Sequence, residues 1–138
     1  MPTAAEILVD TSVAVPLVVA DHRDHDAVRE ALAGRRLGLS GHAAFETFSV
    51  LTRLPAPARR PPTVVQSLLE TSFPATRYLG ADAARQLVGR LGTIGIAGGA
   101  VYDALVAGAA REHGAQLATR DSRAVATYRA LGVDLMLL

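Results

Sequence analysis

The fold of this chain is decided by Ile7-Leu8-Val9-Asp10-Thr11-Ser12, an aliphatic run that ends on a carboxylate and two hydroxyls. An uninterrupted apolar run between polar residues is typical of a buried strand that leads into a helix. Asp10 is therefore predicted at the carboxyl end of a strand. In open α/β sheets that edge faces the crevice where ligands bind, so Asp10 is well placed for chemistry.

Composition indicates a single domain, residues 1–138, with a core of small aliphatic side chains. Half of the residues are hydrophobic but only 4% are aromatic. Cysteine is absent, which excludes thiol nucleophiles, cysteine-ligated zinc and disulfides. Met1 to Glu6 lacks the basic region of a secretory signal, and the apolar run Val13 to Ala20 is too short to span a membrane. We expect a cytoplasmic protein with no membrane partner.

The basic residues limit the chemistry further. All 14 are arginine, so mechanisms that need a lysine, such as the P-loop or a Schiff base, are excluded. A net charge of +1 is too small for the whole surface to bind nucleic acid, so contact with a polyanion must be local. Arg53, Arg59 and Arg60 belong to a proline-rich segment that is either a phosphate-facing rim or a solvated loop.

The rest of the chain alternates strands with helices. This order favours a three-layer α/β/α fold with a mostly parallel central sheet. Ser12 is predicted to cap the first helix. Apolar spacing predicts that Phe45 and Tyr102 face the core. Helices are predicted over 13–19, 24–33, 43–54, 63–71, 81–91, 100–113 and 124–131, and the later strands over 37–40, 116–121 and 133–138, with a flexible glycine-rich loop at 92–99.

Acidic residues stand at several positions that this fold can bring together. Asp121 ends a strand as Asp10 does, Asp103 lies in the first turn of a helix, and Glu46 lies one turn into another. Each has an ordinary explanation, such as a helix-dipole carboxylate or a solvated flank. If the strands of Asp10 and Asp121 are neighbours, their carboxylates repel each other unless a cation neutralises them. Oxygen ligands without cysteine favour Mg²⁺ or Mn²⁺, which activate water for attack on a phosphodiester.

The spaced motifs around these acids resemble a PIN domain, and more narrowly the VapC-type ribonuclease toxins of prokaryotic toxin-antitoxin modules. The resemblance covers essentially the whole chain, with four acids in the right order on the right elements. The motifs are Val9-Asp10-Thr11-Ser12-Val13, the Glu46 helix ending in Val50-Leu51-Thr52-Arg53, Asp103-Ala104-Leu105-Val106-Ala107, Leu117-Ala118-Thr119-Arg120-Asp121 and Gly132-Val133-Asp134.

The resemblance implies a metal-dependent endoribonuclease that acts on RNA, pairs as a homodimer, and is held inactive by a VapB-like antitoxin whose tail enters the acidic cleft. Its Mg²⁺ or Mn²⁺ would be held by an acidic quartet. The implied residues are Asp10, Glu46, Asp103 and Asp121 as the quartet, with Thr11, Ser12 and Thr119 as its supports. Apart from the resemblance, Arg120 and Arg123 are candidate substrate contacts.

One departure from the family pattern concerns Arg123 and Ala124, where many relatives carry a second acid and, just beyond it, an aromatic residue. Arg123 is predicted either to pair with Asp121 in the metal-free protein or to reach a substrate phosphate. Among other classes, haloacid-dehalogenase-like phosphatases and receiver domains need a lysine that this chain lacks. The remaining alternative is an inactive PIN-like module that binds RNA or protein, against which the four retained acids argue.

Overall fold

A parallel sheet of four strands lies at the centre of the computed structural model, which describes residues 5–138. The prediction about Met1 to Glu6 falls mostly outside these residues. The strand order is β2-β1-β3-β4, so β1 and β3 are neighbours and the residues that follow them share one edge. The strands that precede Asp10 and Asp121 are therefore neighbours, which is the condition under which their carboxylates were expected to repel each other. The strands are β1 Glu6–Val9, β2 Arg36–Leu39, β3 Leu117–Thr119 and β4 Leu135–Leu137.

Helices cover both faces of the sheet, as predicted for a three-layer α/β/α fold. Leu8 and Leu117 pack into a core with α5, α7 and α8, while Val9 and Ala118 face α1, α2 and α3 on the other side. In the described part of the chain, no helix has the length and apolar character needed to cross a membrane. The helices are α1 Thr11–Val18, α2 His25–Ala31, α3 Ala43–Thr52, α4 Pro62–Ser72, α5 Ala81–Val88, α6 Leu91–Ile94, α7 Ala100–Glu112 and α8 Val125–Ala130.

Several local predictions are wrong. The first helix starts at Thr11 with Asp10 as its N-cap residue, so Ser12 lies inside the first turn and does not cap it. The glycine-rich segment predicted as a loop contains the short helix α6. The proline-rich segment fits the solvated-loop alternative, because the guanidinium groups of Arg59 and Arg60 donate to carbonyls of their own loop.

The predicted core stripes of α3 and α7 are also wrong at their aromatic positions. Phe45 is 66% exposed and Tyr102 is 56% exposed. The helices instead turn small side chains inward, which lets them approach their neighbours closely. A prediction based on the spacing of large apolar residues misses a buried face that is made of small ones. The buried residues are Ala43, Ala44, Thr47 and Leu51 in α3, and Ala104, Val106, Ala107, Ala109 and Ala110 in α7.

Gly38 of β2 permits a close approach between backbones. The segment before Arg77 runs beside the strand, with Ala75 N donating to Leu37 O at 3.0 Å, and a Cβ on Gly38 would overlap the Ala75 carbonyl. We expect Gly38→Ala to lower the free energy of unfolding by about 1–3 kcal/mol, as overpacking does. Urea denaturation measures this change.

Gly92→Ala is the matched control. An added Cβ there meets no atom within 4 Å, and Gly92 lies within α6. The control should be neutral or stabilising by up to about 1 kcal/mol. If both variants unfold at the same urea concentration as the wild type, the close approach at Gly38 is refuted.

Candidate active site

The carboxylate of Asp10 is buried at the end of β1, with 4% of the residue exposed. Its Oδ1 accepts a hydrogen bond from the Ser12 hydroxyl at 2.5 Å. Its Oδ2 accepts from the Thr119 hydroxyl at 2.5 Å and from the Tyr128 hydroxyl at 2.8 Å. The ion pairs among residues 5–138 do not include Asp10. Burial raises the pKa of Asp10, and the hydroxyl donors oppose that rise.

These donors come from separate elements and fix the surrounding loops as well. The Ser12 hydroxyl in α1 accepts from the backbone N–H of Arg120 at 2.8 Å. The Thr119 hydroxyl at the end of β3 accepts from the backbone N–H of Asp121 at 3.1 Å. The structure thus places Ser12 and Thr119 against Asp10, and both also hold the segment that carries Asp121.

Tyr128 supports Asp10, and the sequence analysis missed this role. It is 2% exposed, and its hydroxyl reaches Asp10 across 118 residues of sequence. Burial and the charge of Asp10 raise the pKa of Tyr128, so the phenol stays protonated and remains a donor. A buried tyrosine is known to need a hydrogen-bond partner. The position of Tyr128 in its helix carried no signal of which partner it would find.

The other predicted acids surround one cleft of about 460 Å³. Glu46 is exposed in the first turn of α3, and Asp103 lies in the first turn of α7. Asp121 is 30% exposed. Burial, followed by the charges of Asp121, Glu46 and Asp10, raises the pKa of Asp103. All four predicted acids are therefore electrostatic neighbours. The cleft is lined by His42, Glu46, Gly99, Tyr102, Asp103, Asp121 and Arg123.

Each of these acids stands at or near the start of a helix. Asp10 is the N-cap residue of α1, Glu46 and Asp103 lie in first turns, and Asp121 precedes α8. A helix N-terminus carries a partial positive charge, which stabilises a nearby carboxylate by about 0.3–1 kcal/mol. Such stabilisation offsets part of the repulsion among the acids.

The arrangement fits a hydrated divalent cation better than a closed metal cage. Among residues 5–138, no three histidine or acidic side chains are close enough together to form a ready-made metal site. Mg²⁺ usually binds through one or two carboxylates and keeps several waters, so it needs no such cage. A cation in the cleft would also relieve the repulsion that raises the pKa of Asp103.

The Thr11 hydroxyl contacts α3. It lies 3.0 Å from that of Thr47 and 3.4 Å from the Ala43 carbonyl oxygen, to which it donates. Both partners belong to α3, the helix that carries Glu46. Thr11 therefore fastens the first turn of α1 to the helix that presents Glu46 to the cleft.

The two predicted substrate arginines point to different places. Arg120 extends to Asp24, with 2.9 Å between the guanidinium and Oδ2, and its hydrogen bond lowers the pKa of Asp24. It does not line the cleft. Arg123 lines the cleft with its side chain 92% exposed, and its Nε lies 3.4 Å from Asp121 Oδ1. The predicted pairing of Arg123 with Asp121 is present.

Residues 7–130 match the PIN domain family. This chain belongs to that family. The PIN domain is 49% identical over 130 residues to Ribonuclease VapC27 of Mycobacterium tuberculosis (strain ATCC 25618 / H37Rv), covering 94% of this chain and 95% of that protein. The family resemblance predicted from the sequence is therefore confirmed.

Solved structures share the fold of this PIN domain. Mycobacterium tuberculosis VapC20, described as a toxin that cleaves the sarcin-ricin loop, aligns with a TM-score of 0.67 at 22% identity, covering 87% of this chain and 93% of that one. VapBC2 from Rickettsia felis, bound to a DNA fragment from its promoter, aligns with a TM-score of 0.67 at 14% identity. The alignment covers 96% of this chain and 98% of that one.

Removing one carboxylate from the cleft should stabilise the metal-free PIN domain at neutral pH. We expect Asp103→Asn to raise the free energy of unfolding by a few tenths to about 1 kcal/mol, because it removes a charge that repels three others. The pKa of Asp103 is raised in the folded state, so wild-type stability falls as pH rises from the unfolded pKa through the folded pKa. The difference in free energy of unfolding between Asp103→Asn and the wild type should therefore be present at pH 7 and shrink as the pH approaches about 4.

Urea denaturation in EDTA at the two pH values tests this expectation. Asp21→Asn is the control, since Asp21 is exposed, takes part in none of the ion pairs of residues 5–138, and lies outside the cleft. A gain of equal size at both pH values would show that repulsion at Asp103 is not its cause.

Tyr128→Phe should destabilise the protein by about 1.5–3 kcal/mol, the usual contribution of a hydrogen bond to a charged group. The variant leaves Asp10 with two hydroxyl donors and keeps the apolar packing of the ring. Tyr78→Phe is the control, because Tyr78 is 55% exposed and should tolerate the change. Equal urea midpoints for the two variants would show that the Tyr128 hydroxyl does not stabilise the protein through Asp10.

Proposed function

We propose that this protein is an endoribonuclease that hydrolyses RNA phosphodiester bonds and acts as the toxin of a toxin-antitoxin pair. The observation that carries the proposal is the acidic cleft beside the buried Asp10, in a chain that matches a named ribonuclease over 94% of its length. The cleft is open and polar, as a site for a phosphodiester must be.

We further propose that Mg²⁺ or Mn²⁺ is the cofactor, held by Asp10 and Asp103 with Glu46 and Asp121. When bound, such a cation activates water and neutralises charge that develops on the phosphate. The residues of this chain hold the carboxylates in position. Three hydroxyls fix the buried carboxylate of Asp10, and the backbone N–H of Arg123 donates to Asp121 Oδ1 at 3.0 Å.

Arg123 is proposed to contact a phosphate of the RNA. Its guanidinium is exposed at the cleft, and arginine suits bidentate contact with phosphate oxygens. Arg120 is less suited to this role, because it would first have to leave Asp24. We assign the substrate contact to Arg123 alone.

We propose a VapB-like antitoxin as the protein partner and a homodimer as the assembly, both on the strength of the family. An antitoxin tail in the acidic cleft would exclude RNA from it. Since Glu46, Asp103 and Asp121 line that cleft, a tail with basic side chains would complement it.

The proposed function predicts that RNA cleavage requires a divalent cation. Purified protein should cleave RNA with Mg²⁺ or Mn²⁺ and lose this activity in EDTA, and it should recover when the cation is added back. Undiminished cleavage in EDTA would refute the metal mechanism. RNA binding without any cleavage would favour the inactive binding module.

Glu46→Gln tests the most exposed of the four acids. If Glu46 holds the cation, the variant should weaken Mn²⁺ binding in calorimetry and lower kcat/KM at least about tenfold, since even outer partners of a metal contribute that much. The stability of the metal-free protein should stay unchanged or rise through relief of repulsion.

Glu30→Gln is the matched control, an exposed glutamate of α2 away from the cleft. It should bind Mn²⁺ and cleave RNA as the wild type does. Wild-type activity and Mn²⁺ affinity in Glu46→Gln would assign Glu46 to the solvated surface.

A further inference from the structure

Exposed aromatic side chains are few in the described part of this protein. Within residues 5–138 they are Phe45, Tyr78 and Tyr102. Only Tyr102 among them lines the acidic cleft. It is 56% exposed although it directly precedes Asp103, in a chain that is otherwise poor in aromatic residues.

The ring of Tyr102 is held in place by His42. The two rings are stacked, with 5.0 Å between centroids and 30° between planes. His42 is the N-cap residue of α3 and Tyr102 lies in the first turn of α7. The ring pair therefore spans the two helices that carry Glu46 and Asp103, and it forms part of the wall of the same cleft.

A fixed aromatic ring with much of its surface open to a polar cleft suits a nucleobase. Bases stack on aromatic side chains with little sequence preference, and only unpaired bases can do so, because paired bases are already stacked in the duplex. The acids beside the ring would act on the phosphate. The base of a nucleotide next to that phosphate would then lie within reach of Tyr102.

We propose that Tyr102, supported by His42, stacks the base of an unpaired nucleotide that adjoins the cleaved phosphodiester. The proposal rests on the ribonuclease function proposed above and specifies its substrate as RNA that is single-stranded at the cleavage position. Tyr102 is thus a specificity-determining residue that binds substrate.

An apolar protein surface is a less suitable occupant for Tyr102. The apolar groove of about 400 Å³ that includes Phe45 and Tyr78 lies between α3 and α4 and excludes Tyr102. The surroundings of Tyr102 are His42, Arg123 and the acids. Such a charged lining favours a polyanion with a cation over an apolar protein surface.

The test compares the wild type with Tyr102→Ala, Tyr102→Phe and Tyr78→Ala. Each is assayed with Mg²⁺ or Mn²⁺ on an RNA that the wild type cleaves and on copies with an abasic nucleotide on either side of the cleavage position. Tyr78→Ala is a matched control, because Tyr78 is 55% exposed but lies outside the acidic cleft.

Tyr102→Ala should raise KM about 5- to 100-fold with a smaller effect on kcat, the range expected for one stacked base. Tyr102→Phe should stay within about twofold of the wild type, since the ring is retained. One of the two abasic RNAs should raise the KM of the wild type and of Tyr78→Ala by a similar factor. The same RNA should not raise the KM of Tyr102→Ala further.

Three outcomes would overturn the proposal. Equal KM values for Tyr102→Ala and the wild type, while RNA is still cleaved, would remove the stacking role and leave the ribonuclease function intact. A changed oligomeric state of Tyr102→Ala in sedimentation would place the ring in a protein interface instead. A wild type that cleaves no RNA would overturn both proposals together.

Discussion

The burial of one negative charge at Asp10 is the constraint on which the rest of the structure depends. An ionised carboxylate out of water is costly unless hydrogen bonds satisfy it. Here hydroxyls from α1, the end of β3 and α8 do so, and no arginine pairs with it in the described chain. The arrangement requires β1 and β3 to be adjacent and α8 to pack against their edge. The fold and the site are therefore specified by the same contacts.

Hydroxyl donors leave the site negative, whereas an arginine would neutralise it. Among residues 5–138 no cationic side chain pairs with Asp10, and burial together with the charges of the neighbouring acids raises the pKa of Asp103. The positive ends of the helices on which these acids stand offset part of the repulsion. The remaining repulsion is a local loss of stability of the kind that active sites commonly retain for function.

The sequence was most informative where the signal is local. The run that ends at Asp10 and the similar run that ends at Asp121 located two strand ends, because an apolar run is a local pattern. The structure then showed that the two strands are neighbours. The contribution of Tyr128 was invisible, since its partner is distant in sequence. Phe45 and Tyr102 were wrongly predicted to face the core. The helices α3 and α7 bury mainly small residues, whereas the prediction relied on the spacing of large apolar ones.

The side chains that support Asp10 have a consequence for the order in which the protein is made. The ribosome synthesises Asp10 before two of its donors, Thr119 and Tyr128, which follow it by 109 and 118 residues. A growing chain that has not yet reached these residues can form neither the β1–β3 pair nor the complete set of hydroxyls. The full support of Asp10 therefore forms only after Tyr128 has been synthesised.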